Sequence, residues 1–220
     1  MEIIDFILHI DQYLQMFLQD YGTWFYAILF LIIFVETGLV VMPFLPGDSL
    51  LFATGMLAAQ FPESLNIWLV MVLMFAAAVL GDTVNYAIGK ETGMRIVNFK
   101  LFGKQPVKGE HIAKTHEFYE KYGSKTIVIA RFVPIVRTLA PFVAGIGRMN
   151  YVTFLTYNVM GGFIWVFGIT ACGYFLGNIP LIKDNFAKVV LLIILVSVLP
   201  IVFSVVKEKW TARKNDSYKK

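Results

Sequence analysis

The sequence predicts an all-α polytopic membrane protein. Its core is an inverted repeat of a re-entrant hairpin plus a transmembrane helix, flanked by amphipathic surface helices. Of the 220 residues, 58% are hydrophobic and only 15% are charged, and the mean hydropathy is +0.69. Soluble domains carry about 25% charged residues, so this composition is typical of a membrane protein. Two short motifs recur at one shared offset, which predicts the repeat. Two apolar runs are interrupted by prolines and charges, which predicts the hairpins.

A single membrane domain, residues 1–220, is expected, and its elements follow from hydropathy and periodicity. In chain order they are an amphipathic helix (2–20); a first repeat (23–90) with a hairpin around 43–48 and a transmembrane helix at 66–89; a polar and amphipathic cytoplasmic segment (91–122), its helix starting at about Lys108; a second repeat (123–178) with a hairpin at 126–147 and a transmembrane helix at 151–177; a C-terminal transmembrane helix (187–206); and a basic tail (207–220).

The predicted repeat depends on two motif matches. Phe44-Leu45-Pro46 matches Phe132-Val133-Pro134, and Tyr86-Ala-Ile-Gly89 matches Tyr174-Phe-Leu-Gly177, each 88 residues further on. Each unit contains one full crossing, so the second copy is inverted, as in many secondary transporters. The arm before Pro46 is about twice as long as the arm before Pro134. If that arm spans the membrane, the N-terminus lies on the opposite face.

Basic residues set the predicted topology. Eight Lys or Arg lie between Lys90 and Lys125, and six between Lys207 and Lys220. The positive-inside rule places both segments, and therefore the C-terminus, in the cytoplasm. The helices at 151–177 and 187–206 already connect the two segments, so residues 126–147 are expected to enter and leave on one face. Aromatic residues do not interleave with the basic ones in a way that favours nucleic-acid binding.

Four charged residues lie in or beside apolar sequence, two acidic and two basic. Each ionised side chain at membrane depth costs at least about 2.5–3.5 kcal/mol, which marks Glu36, Asp48, Arg131 and Arg137 as candidate functional residues. The two guanidinium groups present planar donor forks suited to phosphate, and Thr138 adds a hydroxyl group. The pattern predicts an anion-binding site. The alternative is that each arginine neutralises Glu36 or Asp48 as a structural contact.

The two acids are candidate proton-coupling residues. Burial disfavours the charged form of a carboxyl group, whereas a nearby arginine favours it, so a buried acid beside arginine suits proton exchange. Asp48 also fits an alternative role as the N-cap of the returning arm, with Ser49 beside it.

The remaining candidates are structural or line a cavity. The residues predicted to form the hairpins are Pro43, Pro46, Gly47, Pro134 and Pro141. The candidate cavity-lining residues are Ser49, Asp82, Asn85 and Tyr86, which alternatively hydrogen-bond a neighbouring helix. Cys172 is the one cysteine, and no metal site, cofactor site or nucleophile–base arrangement is recognised. We therefore do not predict an enzyme.

The chain resembles the DedA family of bacterial inner-membrane proteins, also described as SNARE-associated or VTT-domain proteins. The matching residues are Glu36-x-Gly38, Phe44-Leu-Pro-Gly-Asp48-Ser49-Leu, Gly81-Asp82-x-x-x-Tyr86-x-x-Gly89, Arg131-Phe-x-Pro134-x-x-Arg137-Thr138 and Ala144-Gly145. The resemblance covers nearly the whole chain. It implies two opposed re-entrant hairpins, an inner-membrane location and a role in membrane and envelope homeostasis. It also implies dependence on the proton motive force, with Glu36, Asp48, Arg131 and Arg137 essential.

The resemblance implies that the protein flips a phosphate-bearing lipid such as undecaprenyl phosphate or a phospholipid. Its expected partners are membrane lipids and protons, and homo-oligomerisation is left open. The alternative function is proton-coupled transport of a small solute or anion. A weaker alternative is a structural membrane protein that recruits partners.

Overall fold

The computed structural model describes residues 10–39, 47–98 and 109–183, together with residues 185, 189 and 192. The regular elements of the described residues are all helical, which confirms the predicted all-α class. They are α1 (Ile10–Gly38), α2 (Gly47–Gln60), α3 (Ile67–Asn98), α4 (Gly109–Tyr122), a 3₁₀ turn (Gly123–Lys125), α5 (Thr126–Ala130), α6 (Pro134–Ile146), α7 (Tyr151–Gly177) and α8 (Pro180–Lys183).

Three of the described helices are long and apolar enough to cross a membrane: Asp20–Gly38, Ile67–Gly93 and Tyr151–Gly177. This agrees with a polytopic membrane protein. Several predictions lie outside the described residues, namely residues 2–9, Pro43, Pro46, most of the C-terminal helix at 187–206 and the tail at 207–220.

The N-terminal part differs from the predicted separate surface helix. The described residues of that segment belong to α1, which continues from Ile10 to Gly38 with one kink, at Tyr21 (φ −126°, ψ 21°). The apolar segment of α1 is Asp20–Gly38, and its 19 residues at 1.5 Å each extend about 28 Å. That length is close to the hydrocarbon thickness of about 30 Å. The arm before the first break is therefore long enough to span.

The transmembrane helix of the first repeat, α3, is longer than predicted. α3 ends at Asn98, nine residues beyond the predicted transmembrane boundary at residue 89. Polar residues from Lys90 onward lower the hydropathy but do not break a helix, and this stretch contains no proline. The amphipathic helix α4 begins at Gly109 and ends at Tyr122, next to Gly123, whose φ of 56° favours glycine.

The second proline-containing stretch forms a helix–turn–helix. α5 ends at Ala130, and α6 starts at Pro134, where proline loses no helical hydrogen bond. Val133 is extended (φ −120°, ψ 104°), as expected for a residue before proline. Pro141 lies inside α6 without ending it, contrary to the expectation of a second break. At 13 residues, α6 is about 20 Å long and too short to span. Re-entrance itself stays a prediction.

Each short arm packs against the long helix of the other half. Gly55 and Gly173 bring α2 against α7: a Cβ at Gly173 would collide with the carbonyl oxygen of Phe52. Gly89 and Gly145 bring α6 against α3 with equally close backbone contact. Small residues that allow such approach are typical of membrane helix interfaces. The crossing arrangement places the starts of α2 and α6 beside one another.

Labelling with an impermeant thiol reagent tests the predicted topology. Cys172 is the single cysteine and is exposed, so a Cys172→Ala background is expected to fold and to accept new single cysteines. We expect Lys104→Cys and Asn215→Cys to react only after the membrane is opened. Leu181→Cys, at a side chain that is 73% exposed beyond α7, is expected to react from outside intact cells. Reaction of Lys104→Cys in intact cells would contradict the topology.

Candidate functional site

The charged residues selected from the sequence converge where the two short arms begin. Glu36 lies near the end of α1, Asp48 in the first turn of α2, and Arg137 in the first turn of α6. Arg131 lies in the turn before α6. Hydrogen bonds join residues of these separate elements across sequence separations of up to 101 residues. The fold therefore assembles one charged site from both halves of the chain.

Arg137 is shared by two carboxylates. Its Nη2 donates to Glu36 Oε1 at 3.0 Å, and its Nη1 donates to Asp48 Oδ1 at 3.1 Å. The arginine and glutamate side chains are 9% and 5% exposed, whereas the Asp48 side chain is 56% exposed. The guanidinium group thus bridges an enclosed acid and an accessible acid. This differs from the alternative in which each arginine neutralises one of these two acids.

Glu36 is held at the start of α2. The backbone N–H of Gly47 donates to Glu36 Oε1 at 3.3 Å, and the positive end of the helix dipole favours a negative charge there. A Cβ at Gly47 would overlap the Glu36 carboxylate, which explains glycine at this position. Glu36 Oε2 is buried with no hydrogen-bond partner among the described residues. Glu36 Oε1 therefore accepts two hydrogen bonds, whereas Oε2 is available to bind a proton.

Arg131 belongs to a second, fully enclosed contact. Its Nη2 donates to Asp82 Oδ2 on α3 and, at 2.6 Å, to Asn158 Oδ1 on α7. Asn158 in turn donates from Nδ2 to the carbonyl of Val79 at 3.1 Å. Gly161 makes room for the arginine, since a Cβ there would lie 3.2 Å from Arg131 Cδ. These contacts tie the turn before α6 to two long helices.

Asn85 and Tyr86, two of the candidate cavity-lining residues, donate hydrogen bonds to neighbouring elements. Asn85 Nδ2 donates to the carbonyls of Thr37 (3.0 Å) and Thr138 (2.9 Å), and so joins α3 to α1 and α6. The Tyr86 hydroxyl group donates to the carbonyl of Met149. These contacts agree with the alternative of hydrogen bonding to neighbouring elements, and a cavity-lining role stays a prediction. Thr138 itself is buried in α6.

Sequence reasoning missed Trp165, which links the parts of the site. This side chain on α7 is fully buried, and its Nε1–H donates to Asp48 Oδ1 at 2.6 Å. The guanidinium carbons of Arg137 and Arg131 lie 4.1 Å and 5.6 Å from its ring centroid. Both distances are within cation–π range. A buried indole N–H requires an acceptor, which is the one signal that points to such a tryptophan in an apolar helix.

The site contains one more negative group than positive. Among the described residues it joins three carboxylates (Glu36, Asp48, Asp82) to two guanidinium groups (Arg131, Arg137). With all five groups ionised, one negative charge remains. The excess negative charge is not fully enclosed, because the Asp48 side chain is 56% exposed, and one added proton or cation would balance the five groups. Chemically, the site combines carboxylates, which bind protons, with guanidinium groups, which bind anions.

Comparison with known proteins identifies the family. Residues 45–175 match the VTT domain family. The chain is 52% identical over 215 residues to Protein DedA of Escherichia coli (strain K12), and the alignment covers 96% of each chain. It is 43% identical over 169 residues to an uncharacterised membrane protein of Mycobacterium leprae, with 77% of this chain and 74% of that one covered. Inner membrane protein YqjA of Escherichia coli is 33% identical over 182 residues, with 81% and 79% covered. No protein of solved structure matches. The chain therefore belongs to the DedA family of membrane proteins, which carries the VTT domain.

Proposed function

We propose that this protein moves phosphate-bearing lipids, such as undecaprenyl phosphate or a phospholipid, across the inner membrane and uses protons to do so. The observation that carries the proposal is the guanidinium group of Arg137, shared by the enclosed Glu36 and the accessible Asp48. An arginine fork of this kind suits the oxygens of a phosphate group equally well. The two carboxylates and the phosphate headgroup then compete for the same N–H donors of Arg137.

Proton coupling follows from that competition. A carboxylate that takes up a proton loses its charge and its strong attraction for Arg137, so the N–H groups become available to phosphate. Loss of the headgroup returns the N–H groups of Arg137 to Glu36 and Asp48, which favours the charged form of both acids and therefore release of the proton. Glu36 and Asp48 therefore carry the proton, and Arg137 carries the phosphate. Arg131 adds positive charge beside them while Asp82 and Asn158 hold it in place.

Two features favour a lipid as the substrate. Asp48 is accessible from outside the helix bundle, so a headgroup reaches the site while its chains stay in the surrounding hydrocarbon. The amphipathic helix α4 is tied to the arm that carries Arg137, because the Tyr119 hydroxyl group donates to the carbonyl of Ala140 at 2.8 Å. A surface helix attached to this arm gives it a fixed position relative to the headgroup region.

The second candidate function is proton-coupled transport of a small solute or anion. The enclosure of Glu36, Asp82 and Arg131 favours it, because the inner half of the site suits a small ion better than a lipid headgroup. The two candidates differ in what crosses a reconstituted bilayer. A lipid transporter moves labelled lipid between leaflets, whereas a solute transporter moves ions without moving lipid.

Proteoliposomes containing labelled undecaprenyl phosphate or labelled phospholipid, with and without a pH gradient, test the proposal. We expect the gradient to accelerate movement of at least one lipid, and Arg137→Lys to reduce it at least tenfold, since lysine lacks the planar fork. Arg148→Lys, at an exposed arginine between α6 and α7, is the matched control and is expected to behave like the unmodified protein. Gradient-driven phosphate uptake without lipid movement would favour the second candidate and overturn the first.

A further inference from the structure

We propose that Trp165 is a ligand for the anionic headgroup, and that the headgroup oxygen occupies the position that Asp48 Oδ1 holds in this structure. The inference depends on the function proposed above and adds a second binding residue to it. Two donors from different helices converge on this one oxygen: Trp165 Nε1–H at 2.6 Å and Arg137 Nη1–H at 3.1 Å. A carboxylate oxygen that accepts both bonds occupies a site equally suited to a phosphate oxygen.

The geometry makes Asp48 a removable occupant. Its side chain is more than half exposed, so it turns away from the two donors without breaking the core. Trp165 and Arg137 remain, because the indole is fully buried and the guanidinium group is also held by Glu36 and by the indole ring face. The two donors are therefore enclosed and held by other contacts, whereas the carboxylate is more than half exposed. Such preorganised donors bind an anion with little rearrangement.

Rotation of the exposed Asp48 side chain is the step that vacates the position. The carboxylate then leaves Arg137 and Trp165, and the anion accepts from both donors. The charged groups that face Asp48 are Arg137 on α6 and Glu36 on α1, with Asp82 and Arg131 behind them. Glu36 repels the entering anion, so binding is expected to strengthen as the pH falls.

Fluorine NMR of protein labelled with 5-fluorotryptophan tests this role directly. The chain contains four tryptophans, and single substitutions assign the Trp165 resonance. In detergent micelles at low pH, addition of inorganic phosphate or of a short-chain phosphatidic acid is expected to shift that resonance. It is not expected to shift the resonance of Trp68, whose side chain is 69% exposed. A shift with phosphatidic acid alone identifies a lipid headgroup site, and a shift with inorganic phosphate as well identifies a general phosphate site.

Affinity measurements distinguish binding from positioning. Trp165→Phe keeps an aromatic ring under Arg137 but removes the N–H, and is expected to weaken phosphatidic acid binding about tenfold, as for one lost hydrogen bond to a charged group. The same loss is expected in an Asp48→Ala background, which also binds the anion more tightly at neutral pH. Trp68→Phe is the matched control and is expected to have no effect.

Two outcomes would overturn the inference, and they separate it from the proposed function. If Trp165→Phe weakens binding only while Asp48 is present, Trp165 merely positions that acid. If the Trp165 resonance stays unmoved while Arg137→Ala abolishes binding, the anion uses Arg137 without Trp165, and the proposed function stands. If Arg137→Ala leaves binding unchanged as well, both the inference and the proposed function fail.

Discussion

Replacing Arg131 by alanine is expected to destabilise the fold by about 3–5 kcal/mol, the usual cost of removing one partner of a buried ion pair. The change leaves Asp82 charged and enclosed, and it removes the donor to Asn158. The free energy of unfolding, measured by denaturant titration in mixed micelles, gives the size of the loss. The exposed Arg148, replaced in the same way, is expected to change stability by less than about 0.5 kcal/mol.

A double variant shows whether the loss comes from the charge left behind. Arg131→Met combined with Asp82→Asn removes both charges and is expected to recover a large part of the stability, because neutral replacements of a buried pair are often well tolerated. Arg131→Ala with unchanged stability but no phosphate binding would contradict the structural role. It would favour the prediction that Arg131 itself holds the anion.

The sequence predicts many of the residues that form the site. Charged residues are rare in apolar sequence, so Glu36, Asp48 and Arg137 are conspicuous, and the structure places them in direct contact. The pairing was not predictable. Whether an arginine meets Glu36 or Asp82 depends on how α1 and α3 cross, which hydropathy does not encode. Asp82 was selected as a polar stripe residue rather than as the partner of Arg131.

Trp165 and Asn158 show a different limit. A tryptophan and an asparagine within α7 look like ordinary packing residues of a long apolar helix, and their acceptors and donors come from chain segments more than 25 residues away.

The boundaries of the helices were also predictable only in part. Pro134 begins α6 whereas Pro141 lies inside it, and the presence of a proline does not by itself distinguish a helix start from an interior kink position.

Glu36→Gln is expected to abolish gradient-driven lipid movement while the protein stays folded and inserted. Glutamine is nearly isosteric with glutamate and still accepts from the backbone N–H of Gly47, so the start of α2 keeps its contact. It carries no charge and exchanges no proton, which leaves Arg137 with Asp48 as its single acidic partner at this site. The variant therefore mimics a permanently protonated Glu36, with phosphate held but not released.

This trapped state has two measurable properties. Phosphatidic acid binding to Glu36→Gln is expected to be tighter at neutral pH and less dependent on pH than in the unmodified protein, although lipid movement in proteoliposomes is lost. Glu36→Asp keeps the proton-binding group on a shorter side chain and is expected to retain part of the movement. The exposed Glu63, changed to glutamine, serves as the matched control and is expected to remain fully active.

Full activity of Glu36→Gln would exclude a proton-carrying role. Loss of folding would instead assign Glu36 to the structure, because the Arg137 contact would then be needed for stability rather than for exchange.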